Sequence, residues 1–119
     1  MVARRGSFMK KYESLNRNQD FRRVYSKGKY ISSPLLVTYI LKNRCKSIRL
    51  GITTSKKIGN AVKRNRARRV LRAAYSSICE KLTGKFDIVF VARKSTFSIK
   101  SYDVLKEMSY QLRKLGVLN

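Results

Sequence analysis

Apolar residues in this chain recur at helical spacing in some stretches and alternate in others. Phe21, Val24 and Tyr25 fall at i, i+3 and i+4, one apolar stripe of a short helix. Asn18 is placed to cap that helix, and Gly28 to end it in a left-handed conformation. Tyr30 to Ser32 reads as a short strand before Pro34, the only proline. In the strand Leu35 to Leu41, Leu35, Val37, Tyr39 and Leu41 point one way and Leu36, Thr38 and Ile40 the other. Lys42 to Lys46 forms a polar turn. Ile48, Leu50 and Ile52 then alternate with Arg49, Gly51 and Thr53 as a half-buried strand does.

A helix is predicted from Gly59 to about Leu82, ended by Gly84. With Arg64 at 0° and ~100° per residue, Arg64, Arg68, Arg72, Asn65 and Arg69 cover roughly 140° of the wheel. Ala67, Val70, Leu71, Ala74 and Ile78 occupy a separate arc, with Arg66 at its border. Phe86 to Ala92 is apolar on both sides, the mark of an interior strand. Ser98 or Ser101 can cap a last helix with Tyr102, Leu105, Met108, Leu112 and Leu115 as its buried stripe. The order α-β-β-β-α-β-α predicts a single α+β sandwich domain over 1–119, with 1–13 as a basic N-terminal arm.

Composition changes this picture from a fold to a function class. Lys and Arg number 29 against 6 acids, a formal net charge of +23. Such a charge calls for a polyanion, with nucleic acid ahead of an anionic membrane surface. The absence of His excludes Ser-His and Cys-His couples and His-ligated metal. The acids are scattered except Asp103 and Glu107, an i,i+4 pair beside Lys100 and Lys106 that reads as surface charge. No catalytic or metal-ligating residue is therefore assigned. Cys45 and Cys79 lack metal or redox spacing and read as free thiols. With no apolar h-region or spanning segment, the expected location is the cytoplasm, without membrane contact.

The densest signal runs from Ser55 to Arg72, where Lys56, Lys57, Lys63, Arg64, Arg66, Arg68, Arg69 and Arg72 stand with no acid between Asp20 and Glu80. An ion-paired surface helix would intersperse acids. Rows of like charge at i,i+4 are best explained by phosphates, which the planar guanidinium grips with two hydrogen bonds. From the residues alone, Asn65 is either a ribose or turn contact or a plain surface residue. Phe21 and Val37 favour core packing, and Tyr39 is the residue expected to be partly exposed.

The run Arg49-Leu50-Gly51-Ile52-Thr53-Thr54-Ser55-Lys56-Lys57-Ile58-Gly59-Asn60-Ala61-Val62, followed by Arg64-Asn65-Arg66 and Arg68-Arg69, resembles the signature of the protein subunit of bacterial ribonuclease P. Asp20-Phe21, Val24-Tyr25 and Gly28 resemble that family's first helix, and Gly84, Asp87, Val89 and Arg93 its last strand. Tyr25 stands where the family often has Phe, and Thr54 where Val is common. The resemblance covers about residues 14–115. It implies a left-handed strand–helix–strand crossover, where the general rule favours the right-handed one. It also implies partnership with ribonuclease P RNA in removing the 5′ leader of precursor tRNA. The active site and magnesium would then lie on the RNA, the chain alone would be inactive, and no obligate protein partner is expected. Lys56, Lys57, Asn60, Lys63, Arg64, Asn65, Arg66, Arg68, Arg69 and Arg72 would contact RNA, and Ser55 and Gly59 would shape the approach to the helix. Phe21, Tyr25, Val37 and Tyr39 would line a cleft for the leader. A ribosomal protein is the runner-up reading, and a membrane-active cationic protein the third.

Overall fold

The computed structural model describes residues 13–44, 47–94, 96 and 101–118, and for Lys56 and Ser101 the backbone alone. The strands are β1 (Glu13–Ser14), β2 (Lys29–Ser32), β3 (Leu36–Lys42), β4 (Arg49–Thr53) and β5 (Phe86–Ala92), and the helices α1 (Asn18–Lys27), α2 (Ala61–Ile78) and α3 (Ser101–Lys114). The seven expected elements occur in the expected order. β1 is additional, and its two residues are too few to show alternation. Residues 1–12 of the expected arm, Cys45, Lys100 and the Ser98 cap lie outside the described residues, as does the side chain of Ser101, while the arm's last residue, Glu13, belongs to β1.

The sheet order is β1-β4-β5-β3-β2. β5 lies at its centre, parallel to β4 and antiparallel to β3. Its two-sided apolar pattern follows from this position. Ile88 and Phe90 join Leu36, Ile40 and Leu50 in a core with Leu71, Tyr75, Met108 and Leu112 of α2 and α3. Val89 faces the other way, into a smaller cluster with Leu15 and Val24 under α1. α2 connects the parallel neighbours β4 and β5, so the strand–helix–strand unit is real and sets one face of α2 against the sheet.

Several local expectations are corrected. Arg17, not Asn18, is the N-cap of α1, and its side chain makes no cap hydrogen bond. Gly28 is extended, at φ −83° and ψ 165°, not left-handed. A glycine is needed there for space: a Cβ would lie 2.4 Å from the Ile40 carbonyl oxygen and 2.6 Å from that of Val24. Both are backbone atoms held by the sheet and the helix, so neither can swing aside. Gly28→Ala should cost about 1–3 kcal/mol through overpacking, read as a lower urea midpoint at unchanged m-value.

α2 ends at Ile78, a 3-10 turn covers Cys79–Lys81, and Gly84 sits beyond both. Tyr75 is buried in the core, which widens the apolar arc past Leu71. In α3 the buried stripe is Val104, Met108, Gln111 and Leu112, while Tyr102 is 66% exposed. On the wheel Tyr102 lies about 130° from the centre of that stripe. Gln111 escaped notice because it is polar. Its Nε2 donates to the Leu36 carbonyl at 3.0 Å and to Glu107 Oε2 at 2.9 Å, and its Oε1 accepts from the Thr38 hydroxyl. Glu107 therefore braces a buried amide, while Asp103 is exposed. Cys79 is buried and forms no disulfide, and its thiol donates to the Ser76 carbonyl at 3.7 Å.

Candidate nucleic-acid interface

The approach to α2 is built by its own backbone. A 3-10 turn over Lys56–Ile58 closes when Ile58 N–H donates to the Ser55 carbonyl at 3.1 Å and Lys57 N–H to Ser55 Oγ at 3.3 Å. Gly59 follows at φ +136°, a conformation that other residues adopt only under strain. Asn60 is the N-cap, its Oδ1 accepting from Lys63 N–H at 3.0 Å. Its oxygen is thus committed to the helix, leaving the amide Nδ2 as the donor for a ligand. No acid stands in the first turn, so the positive end of the helix dipole adds to the side-chain charge.

Lys57, Lys63, Asn65, Arg66, Arg69 and Arg72 are exposed, and Arg64 and Arg68 are half-buried. Arg64 Nη1 donates to the Gly59 carbonyl at 2.8 Å, tying the helix to the turn. Asn65 lies in mid-helix and fixes no turn. Its Oδ1 accepts from Arg68 Nη1 at 2.9 Å, aligning one guanidinium. Among the described residues no carboxylate pairs with Arg68, Arg69 or Arg72. Arg66, at the border of the predicted arcs, falls on the solvent side. The side chain of Lys56 lies outside the described residues.

On the opposite face of the sheet, aromatic rings form a row. Phe21 and Tyr25 are 6.5 Å apart, Tyr25 meets Tyr39 edge-on at 4.9 Å, and Tyr39 stacks on Tyr30 at 5.2 Å. The Tyr25 hydroxyl donates to Thr53 Oγ1 at 3.2 Å, holding α1 against the end of β4. The Phe21 ring lies over Gly51, where a Cβ would be 2.5 Å from Cε1. Val37 is buried on the same side of β3 as Tyr39. The structure thus brings Phe21, Tyr25 and Tyr39 into contact, with Phe21 and Val37 mostly packed. Tyr39 is partly exposed, as expected, but its neighbours Tyr25 at 39% and Tyr30 at 61% are more so. Tyr30 was missed because a short edge strand shows little periodicity.

The family model described as Ribonuclease P matches residues 9–116. The chain belongs to the ribonuclease P protein family. It is 39% identical over 110 residues to the ribonuclease P protein component of Clostridium botulinum, covering 92% of this chain and 99% of the relative. With that of Clostridioides difficile it shares 40% over 106 residues, covering 88% and 93%. The solved structure of the Staphylococcus aureus RNase P protein superposes with a TM-score of 0.80 at 30% identity, covering 92% of this chain and all of that one.

One buried charged group was not singled out in the sequence beyond its place in the last strand. Asp87 is fully buried on β5. Arg49 Nε and Nη2 donate to its two oxygens at 2.8 and 2.7 Å, and Asn43 Nδ2 donates at 2.7 Å. Arg23 of α1 reaches it at 3.4 Å and Asp20 at 3.5 Å. Burial alone would raise the Asp87 pKa. The hydrogen bonds from Arg49 and Asn43, the Arg49 charge and the Arg23 hydrogen bond outweigh that and hold it below the usual carboxylate range. With Arg23, the Arg49–Asp87 pair joins α1 to the start of β4 and of β5. A lone Asp in an apolar strand is the sequence signal that could have found it.

Proposed function

We propose that this chain holds ribonuclease P RNA against the cationic face of α2 and the 5′ leader of precursor tRNA along the row Phe21, Tyr25, Tyr39 and Tyr30. As a ribonuclease P protein component it works with the RNA of that enzyme in processing the 5′ leader of tRNA. The observation that carries the division of labour is the placement of the two surfaces. The cations of α2 stand over one face of the sheet, and the aromatic row lies on the other, beside α1. Guanidinium groups suit the dense phosphates of a folded RNA. Exposed tyrosines offer stacking platforms to unpaired bases without demanding a sequence.

In this reading the active site and its magnesium ions belong to the RNA. Among the described residues no group of three or more His, Cys, Asp or Glu is placed to hold a metal ion. Membership in the family replaces the ribosomal-protein alternative. No described helix is long and apolar enough to cross a membrane.

The test is a pair of titrations of the reconstituted holoenzyme, with precursor and with mature tRNA. Tyr30→Ala and Tyr39→Ala should each weaken precursor binding by about 1–3 kcal/mol, the worth of one stacked base. Mature tRNA, which lacks the leader, should bind as before. Tyr30 is the safer substitution because it is mostly exposed. Equal weakening of both ligands by Tyr30→Ala would overturn the leader assignment.

A further inference from the structure

We propose that a cationic hollow on the far side of α1 is a separate site for the backbone phosphates of a second RNA segment. α1 divides its face of the sheet. Tyr25 reaches Thr53 at the end of β4, whereas Arg23 reaches Asp87 near the start of β5, and Asp20 lies 3.8 Å from Arg49 at the start of β4. The aromatic row lies on the first side. On the second is a hollow of about 620 Å³ bounded by α1, the end of β3, Asn43 and Arg44, and the start of β4. Arg17, Arg23, Lys27, Lys42, Arg44 and Arg49 line it. Arg49 opens the signature run, but neither that run nor the aromatic pattern points to the other five cations.

Among the described residues, charge in this hollow is not balanced. Six cations meet the carboxylates of Asp20 in the wall and Asp87 beneath it, an excess of four. Arg49 is spent on Asp87 in a two-bond grip. Arg23 is shared between both acids at 3.4 and 3.5 Å and its side chain is 45% exposed, so it can turn to a phosphate at little cost. Arg17, Lys27, Lys42 and Arg44 are exposed. The N-terminus of α1 opens at the same place. Arg17 supplies no side-chain cap, so the first backbone N–H groups add positive charge to the wall.

Cations contributed by a helix, a strand end and a turn fit a run of phosphates better than one small anion, which two or three donors satisfy. The choice of RNA as ligand rests on the family reading. It does not depend on the roles given to α2 or the aromatic row. Two RNA segments would then pass on either side of α1.

The experiment replaces Lys27, Lys42 and Arg44 by Gln together, sparing the Asp87 network. These side chains are exposed, so the fold should be retained, checked by the thermal unfolding midpoint. A control chain carries Lys106→Gln, Arg113→Gln and Lys114→Gln on the outer face of α3. Binding of ribonuclease P RNA to each protein, and of precursor and mature tRNA to each holoenzyme, is measured against salt. The site variant should show a slope of log K against log salt shallower by about two to three in at least one titration. The titration that changes identifies which RNA supplies the segment. A slope equal to that of the α3 control in every titration would overturn the site. Arg44→Glu alone, on the turn, gives a second reading if the triple variant loses its fold, with a slope change of about one or more expected. Arg68→Gln, Arg69→Gln and Arg72→Gln, run in parallel, separate failure of this site from failure of the α2 assignment.

Discussion

Asp87→Asn is expected to destabilise the fold by about 3–5 kcal/mol, the cost of stranding one member of a buried ion pair. The substitution keeps the shape and removes the charge. An Asn amide has one oxygen for Arg49, and its Nδ2 would point a donor at the guanidinium or at Asn43, which already donate. Arg49, largely buried, would lose its two-bond grip and keep the longer contact to Asp20 at 3.8 Å. The chain is poorly placed to absorb this, because its formal charge of +23 already favours expansion. The pH dependence has a definite sign. The folded-state pKa of Asp87 is depressed, so the unfolded chain binds the proton more readily. The stabilisation is fully present above the unfolded Asp pKa of about 3.9 and is lost as pH falls through the folded value. Urea titrations of both proteins should therefore show a gap that is constant near neutrality and narrows below about pH 4. A gap unchanged down to acid would assign the effect of Asp87 to packing, not charge.

The parts of this fold that were readable in the sequence are those in which one physical signal dominates. β5 is apolar on both sides because it is central, and α2 separates Ala67, Leu71 and Ala74 from its arginines because one face meets the sheet. Readings failed where local and tertiary demands diverge. Gly28 has an ordinary φ and is glycine because two carbonyls approach it, a contact made across the sheet. Gln111 is polar and buried because Leu36, Thr38 and Glu107 happen to satisfy it. Tyr102 fits a stripe by spacing, yet it turns outward, where Lys106 Nζ lies 5.7 Å from its ring. The candidate site was legible in the same graded way. The cationic face follows from composition and spacing. The partnership of Tyr25 and Tyr39 came from a resemblance, and the inclusion of Tyr30 needed the pairing of β2 with β3, which sets it opposite Tyr39.

Replacing Arg68, Arg69 and Arg72 by Gln should move RNA affinity and protein stability differently. In an isolated helix, Arg68 and Arg72 repel at i,i+4 and Arg69 and Arg72 at i,i+3, each pair costing about 0.2–0.5 kcal/mol. Gln has similar helix propensity, and only the exposed Asn65 contact of Arg68 is lost. Stability should hold or rise slightly. Binding of ribonuclease P RNA should fall, because three groups that meet no carboxylate among the described residues lose their phosphate partners. If the parent protein contacts six to ten phosphates, its affinity should drop roughly 10³- to 10⁵-fold between 50 and 200 mM salt. The variant should show a slope shallower by about three. The two proteins would then converge at high salt, where counterion release no longer favours the additional contacts. An unchanged slope with lowered stability would return these arginines to a structural role and remove α2 from the RNA interface. Lowered affinity with the full parental slope would point to a rearranged complex, and would place the phosphate contacts on other cations of the chain.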